Sequence, residues 1–288
     1  MTAIPHVRAF FDEPTFTVSY LVWDEASRRA AIIDSVLDFE PRSGATGTTS
    51  AQAILDVAAS ENLTIDWILE THAHADHISA APFLKRATGA KTAIGADITA
   101  TQRVFKRVYN LPDLAEDGSQ FDRLVKDGDA LPLGELEITV MHTPGHTPAC
   151  VSYLVGGAVF VGDTMFMPDY GTARTDFPGG DARTLYHSIK RLLALPPETR
   201  IFLCHDYKAP GRDAYVWETN VAAQRAANVH IHDGVSEEDF VAHRQARDKT
   251  LGKPALILPS IQVNIRAGEL PAPEANGIRY LKLPLDAL

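Results

Sequence analysis

A chain of 288 residues and 31.4 kDa, with 45% hydrophobic and 22% charged residues and a mean hydropathy of -0.09, has the composition of a globular protein with a full core; disordered, collagen-like and low-complexity classes are excluded. The 27 Lys+Arg against 37 Asp+Glu leave a formal charge of -10, which repels nucleic-acid phosphates and anionic lipid and argues against a nuclease. Only Cys150 and Cys204 are available as thiols, too few for a disulfide framework or a thiolate cluster, so the 11 histidines are the unusual count.

No basic start with an apolar run opens the chain, and no stretch reaches the roughly 20 apolar residues of a membrane span, so a cytoplasmic location is expected. Residues 15–23 (TFTVSYLVW) and 30–34 (AAIID) read as an antiparallel strand pair, followed by an expanded Gly/Ser/Thr loop over 38–50. Helical spacing over 51–60 precedes a buried strand at 66–70 (DWILE), and a second helix is expected from His77 to about Thr88. A short strand at 92–94, a helix over 97–109 and a polar insertion over 111–127 come next. Strands are expected at 136–142, 151–155 and 158–161, an amphipathic helix at 181–195, and a strand at 201–204. Strands alternating with helices predict an α/β layered sandwich. No linker splits residues 1–288, so one domain is expected, with 211–288 as a C-terminal helical extension.

The polar string His72-Ala73-His74-Ala75-Asp76-His77 begins where the strand at 66–70 ends. An HxHxDH pattern arises by chance in a chain of this composition about once in a thousand. In extended backbone His72 and His74 face the same way and can share a metal, while Asp76 and His77 at the following turn reach a second position. His146 sits in a Pro-Gly turn, Asp163 follows the strand ending at 161, and His205 follows the strand at 201–204. Each alone reads as a turn or core residue; together, in this order, they read as metal ligands.

This series resembles that of the metallo-β-lactamase superfamily, HxHxDH followed by a His, an Asp and a His on successive strand ends. The resemblance implies a four-layer αββα sandwich with metal at one edge of two sheets. It does not name a substrate, because the fold hosts hydrolases, nucleases and oxygen-using enzymes. The strings THAHADH (71–77), PGHTPACV (144–151), RTDF (174–177), LYHS (185–188), HDY (205–207) and VNIRAG (263–268) look like those of the persulfide dioxygenases in that superfamily. Glyoxalase II hydrolases carry HEY in place of HDY and a second His after the Pro-Gly turn, where this chain has Cys150.

The dioxygenase resemblance implies one Fe(II) per chain on His72, His146 and Asp163, a facial set that leaves positions open for a persulfide sulfur and O₂. His74, Asp76, His77 and His205 are then catalytic groups that orient the ligands and polarise the pocket. Glutathione persulfide and O₂ are the implied substrates, sulfite and glutathione the products, and a homodimer the expected assembly. Arg174, Tyr207, Arg225 and Arg266 are the expected donors to the carboxylates of glutathione. The glyoxalase II resemblance implies instead two zinc ions, with His72, His74 and His146 on one, Asp76, His77 and His205 on the other, and Asp163 bridging, acting on a thioester. All seven residues serve either reading, and only the flanking strings favour the first. His6, His142, His187, His230, His232 and His243 read as packing or hydrogen-bonding groups.

Overall fold

The computed structural model describes residues 4–287. Its first part runs β1 (His6–Asp12), β2 (Thr17–Trp23), β3 (Arg29–Ile33), β4 (Val36–Glu40), β5 (Ala45–Gly47), α1 (Thr49–Ser60), β6 (Thr64–Leu69), β7 (Ile78–Ser79), α2 (Ala81–Thr88), β8 (Lys91–Gly95), α3 (Ile98–Val108) and β9 (Arg123–Val125). Then follow β10 (Ala130–Leu133), β11 (Leu136–His142), β12 (Val151–Val155), β13 (Ala158–Phe160), α4 (Ala182–Leu192), β14 (Arg200–Phe202), β15 (Glu218–Asn220), α5 (Val221–Ala227), α6 (Glu237–Asp248) and α7 (Ile257–Asn264).

Two six-stranded sheets, β1-β2-β3-β6-β8-β9 and β10-β11-β12-β13-β14-β15, pack face to face. Between them lie Val18, Tyr20, Val22, Ala31, Ile33 and Leu69 from the first and Ile138, Val140, Tyr153, Val155 and Phe160 from the second. Along β3 the alternate residues Ala30 and Ile32 turn outward to Ile54 of α1 and Leu84 of α2, and on the second sheet Val159 and Ile201 turn outward to Leu185 and Ile189 of α4. Both faces of each sheet are thus covered, which is why β2 and β3 read as nearly unbroken apolar runs. The layers are αββα, as the resemblance implied.

The structure departs from the sequence reading in short or irregular elements. The second helix begins at Ala81, not His77, because Ile78 and Ser79 pair with Leu37 and Val36 in β7–β4, and Pro82 in the first turn suits a helix start. Residues 38–50 hold the β4–β5 hairpin, and the polar insertion contributes β9, a parallel edge strand with Val125 as its one buried side chain. Three residues with one buried position have no readable period. The expected C-terminal extension also supplies β15, which completes the second sheet beside β14.

Two glycines shape the site edge. Gly145 approaches the backbone of Leu185 too closely for a Cβ. Gly162, just before Asp163, has φ +52, and a Cβ there would lie 2.5 Å from Thr71 Oγ1. Gly162→Ala is predicted to cost about 2 kcal/mol from left-handed backbone and the Thr71 contact together. Chemical denaturation checks this, and a loss under about 0.5 kcal/mol would mean that the turn relaxes freely.

Candidate metal centre

Strand direction gathers the seven residues at one edge. β3 and β6 run parallel, so Asp34 and the 70–77 loop emerge together; β13 and β14 also run parallel, with Phe160 opposite Phe202, so Asp163 and His205 emerge side by side. Backbone bonds tie the sheets together here. Val18 N–H donates to the Cys204 carbonyl at 2.7 Å, and Val151 N–H to the Thr71 carbonyl at 2.9 Å.

Each of the five imidazoles has one nitrogen anchored outward. His72 Nδ1 meets Thr71 Oγ1 at 3.0 Å, His146 Nδ1 donates to the Arg174 carbonyl at 2.8 Å, and His74 Nε2 meets Asp34 Oδ1 at 3.0 Å. His77 Nδ1 lies 3.3 Å from Asp76 Oδ2 and from Thr17 Oγ1, and His205 Nδ1 lies 3.2 Å from the Phe16 carbonyl. The opposite atoms, His72 Nε2, His74 Nδ1, His77 Nε2 and His205 Nε2, are buried without a well-aligned hydrogen bond, as is Asp163 Oδ1, although His205 Nε2 lies 3.1 Å from Asp76 Oδ2 and 3.2 Å from Asp163 Oδ1. Buried polar atoms are otherwise almost always paired. Ligand atoms of His72, His146 and Asp163 lie within 4.8 Å of one another, and those of His74, Asp76, His77 and His205 do the same. Orphaned nitrogens and carboxylates converging in this way fit a metal centre, with His72, His146 and Asp163 as one ligand set and the other four beside it.

Electrostatics follow from burial and pairing. Burial alone would raise the Asp34 carboxyl, but His74 and the Thr71 hydrogen bonds outweigh it and hold the group below its usual range. Burial likewise opposes ionisation of Asp76, and the adjacent His205 and His77 prevail, keeping it well below that range. Burial, then like charge from His74 and His146, pushes His72 well down, so it is neutral and able to ligate. Cys204 is buried beside Asp163 and His205, and burial with Asp34 and Asp163 nearby raises its thiol well above the ordinary range.

His146, Asp163 and Asp76 open onto a pocket of about 360 Å³ also lined by Tyr170, Tyr207, Arg174, Arg244 and Arg247. Tyr207 stacks on His205 at 5.6 Å. Of the expected cations, Arg174 reaches this pocket, but it is occupied by Asp176 and by the Gly252 carbonyl, both at 2.6 Å. Arg225 and Arg266 do not line it. They pair with Asp233 and Asp113 instead, each at 3.0 Å, which corrects their assignment as substrate donors. Sequence reasoning missed Asp34, Glu70 and Thr17, which orient the imidazoles, and Arg244 and Arg247 on α6. Asp34 and Glu70 were visible only as acids closing apolar strands.

The fold, the parallel strand ends and the seven converging residues define a metal-binding protein of the metallo-β-lactamase type. The sequence profile of the Metallo-beta-lactamase superfamily matches residues 12–205, and the chain belongs to that superfamily. It is 56% identical over 293 residues to a "Probable metallo-hydrolase" of Burkholderia pseudomallei, covering 98% of this chain and 99% of that one. It is 55% identical to a "Beta-lactamase hydrolase-like protein" of Agrobacterium fabrum over 99% of this chain, which spans 66% of that relative's length. The human "Persulfide dioxygenase ETHE1, mitochondrial" is 30% identical over 265 residues, 91% of this chain and 88% of that one. Among solved structures, ETHE1 from Myxococcus xanthus superposes with a TM-score of 0.73 at 32% identity, covering 92% of this chain and all of that one. No helix among the described residues is long and apolar enough to cross a membrane.

The pocket wall has its own pH-sensitive support. His230 Nδ1 accepts the Thr172 N–H at 3.0 Å, and burial, reinforced by His243, Arg244 and Arg247, pushes its pKa from 6.5 down to about 3. The unfolded chain takes up this proton near pH 6.5 and the folded chain only near 3. Stability therefore declines as the pH falls through that window, and the contribution is fully present above it. His230→Asn, which offers Thr172 an acceptor but does not titrate, is predicted to flatten that part of the profile. Denaturation midpoints between pH 4.5 and 7 test this, and an unchanged slope would refute a neutral His230.

Proposed function

We propose that this chain is a persulfide dioxygenase, using one Fe(II) on His72, His146 and Asp163 to oxidise glutathione persulfide. The observation that carries this reading is the asymmetry of the site. His146 and Asp163 face the pocket, whereas His74 is fully buried, with Nε2 between Asp34 at 3.0 Å and Glu70 at 3.4 Å. His72 is buried at 1% exposure, but its Nε2 converges on the pocket-facing His146 and Asp163, and two histidines with one carboxylate are the facial set that leaves positions for substrate. The 30% and 32% identities to the two ETHE1 proteins support it.

When bound, the iron supplies the electron donation that activates O₂. The balance is R–S–SH + O₂ + H₂O → R–SH + H₂SO₃: the terminal sulfur loses four electrons, O₂ accepts them, and the acid ionises to sulfite. The protein's part is positional. The apolar wall of Phe166, Phe177, Leu251 and Pro254 excludes water, Tyr170 and Tyr207 offer hydroxyl donors, and Asp76 and His205 stand 3.1 Å apart beside the pocket to hold or move a proton.

Arg247 is half-buried in the pocket wall and forms no salt bridge among the described residues, whereas its neighbour Arg244 is taken by Asp248 and the Thr172 carbonyl. It is the cation available to a substrate carboxylate. Arg247→Ala is predicted to raise KM for glutathione persulfide about tenfold with little change in kcat, while Arg225→Ala and Arg266→Ala leave both unchanged. An unaltered KM in Arg247→Ala would remove it from the binding site.

A second reading, a two-metal thioester hydrolase, is favoured by the four-residue set His74, Asp76, His77 and His205 and by the metallo-hydrolase name of the 56% identical relative. The two are separated by loading the anaerobically purified protein with Fe(II), counting metal per chain, and following O₂ uptake and sulfite with glutathione persulfide beside thiol release from S-lactoylglutathione. Oxygen consumption at one iron per chain is expected. Thioester cleavage without O₂ uptake, at two metals per chain, would replace the first reading with the second.

A further inference from the structure

The loop that carries Asp76 and His77 gets little support from the sandwich. Among the described residues, no backbone group of residues 72–77 pairs with another backbone group. Thr71, just before them, is fixed by Asp34 through its N–H at 2.7 Å and its hydroxyl at 2.8 Å. Ser79, just after, lies in β7. Between these points, among the described residues, the loop backbone is hydrogen-bonded by a single side chain, Asn264, the last residue of α7.

Asn264 Nδ2 donates to the His74 carbonyl at 2.8 Å and the His77 carbonyl at 2.7 Å, and its Oδ1 accepts the Ser79 N–H at 2.9 Å. The side chain is 4% exposed, so all three bonds are made out of reach of solvent. A carboxamide of this length is suited to the task, with two N–H donors and one acceptor directed at two carbonyls and one amide. A carboxylate would set negative charge against both carbonyls, and an apolar residue would leave three buried backbone groups unpaired. The bonds at positions 74 and 77 bracket Asp76. α7 is itself seated by Ile257, Ile261 and Ile265, which pack in one cluster with Ile98 and Phe105 of α3.

We propose that Asn264 is a positioning residue of the metal centre: through the backbone alone, it sets the place of Asp76 and His77, so that α7 braces one half of the site from outside the matched residues 12–205. Asp34 anchors the other end of the loop, at Thr71 and His74. The inference depends on the metal centre and not on which reaction it performs, so failure of the dioxygenase assay leaves it standing.

The test uses the full chain loaded with Co(II), whose visible absorption reports coordination geometry. Asn264→Ala is compared with wild type and with Arg266→Ala, a control on the same segment whose side chain pairs with Asp113 at the surface. The expected result for Asn264→Ala is an unchanged far-ultraviolet circular dichroism spectrum, an altered Co(II) absorption band, and metal release to a chelator about tenfold faster or more, with Arg266→Ala matching wild type. If Asn264→Ala does not fold, Asn264→Ser, whose hydroxyl can still donate to one carbonyl, takes its place, with a smaller shift in the same direction. A folded variant with wild-type absorption and release rate overturns the proposal. Failure of both variants to fold also overturns it, since Asn264 would then be a folding residue and not a positioning one.

Discussion

Much of the site depends on one buried carboxylate. Asp34 ends β3 with φ +51, an uncommon conformation for a residue with a side chain, and is 2% exposed. Every polar group it has is used. Its N–H donates to the Leu69 carbonyl at 2.9 Å and its carbonyl accepts the Ser19 hydroxyl at 2.7 Å, while its carboxylate takes the N–H and hydroxyl of Thr71 and Nε2 of His74. An isolated charge in that position would be costly to bury, and these partners are what make it tolerable. In return the end of one strand dictates where its parallel neighbour's loop departs and which nitrogen His74 presents.

What could be read beforehand was whatever carries a period or a dense pattern. The strands at 136–142 and 151–155 lie at their predicted positions because β11 alternates buried Ile138 and Val140 with the less buried Glu137 and Thr139, and β12 is a compact, almost wholly buried run ended by a Gly-Gly turn. The ligands were legible because three imidazoles and a carboxylate in six residues have no structural use. The supporting groups were not. Asp34 and Glu70 look like ordinary acids at strand ends, and Asn264 like any polar residue of a C-terminal helix; their roles exist only through contacts far apart in sequence, such as Asn264 to His74. Two of the expected substrate cations, Arg225 and Arg266, lie outside the pocket for the same reason. Arg225 and Arg266 have acidic partners that sequence proximity does not identify as theirs, and Arg247 has none among the described residues.

The seven residues divide by environment more than by type. His146 and Asp163 share a wall with aromatic rings and the Arg247 guanidinium, while His74 lies behind them, shut in by Asp34 and Glu70. A ligand inventory therefore says that metal is held but not which side reacts. Access differs between the two sides: the pocket that reaches His146 and Asp163 is walled by Arg244 and Arg247 of α6 and by residues 172–174. The pocket wall and the converging ligands thus come from different parts of the chain, the wall in part from α6 and the ligands from the strand ends.

The two backbone bonds that join the sheets, Val18 to Cys204 and Val151 to Thr71, have a dynamic consequence. Both lie at the metal edge, where the Asp206 N–H also donates to the Phe16 carbonyl at 3.3 Å, while at the far end of β2 the sheets are joined through a side chain, Asp24 accepting the Glu135 N–H at 2.9 Å. Thr71 precedes His72 and Cys204 precedes His205, so the ligand loops are tied backbone to backbone across the sandwich, and one sheet cannot slide on the other without displacing them.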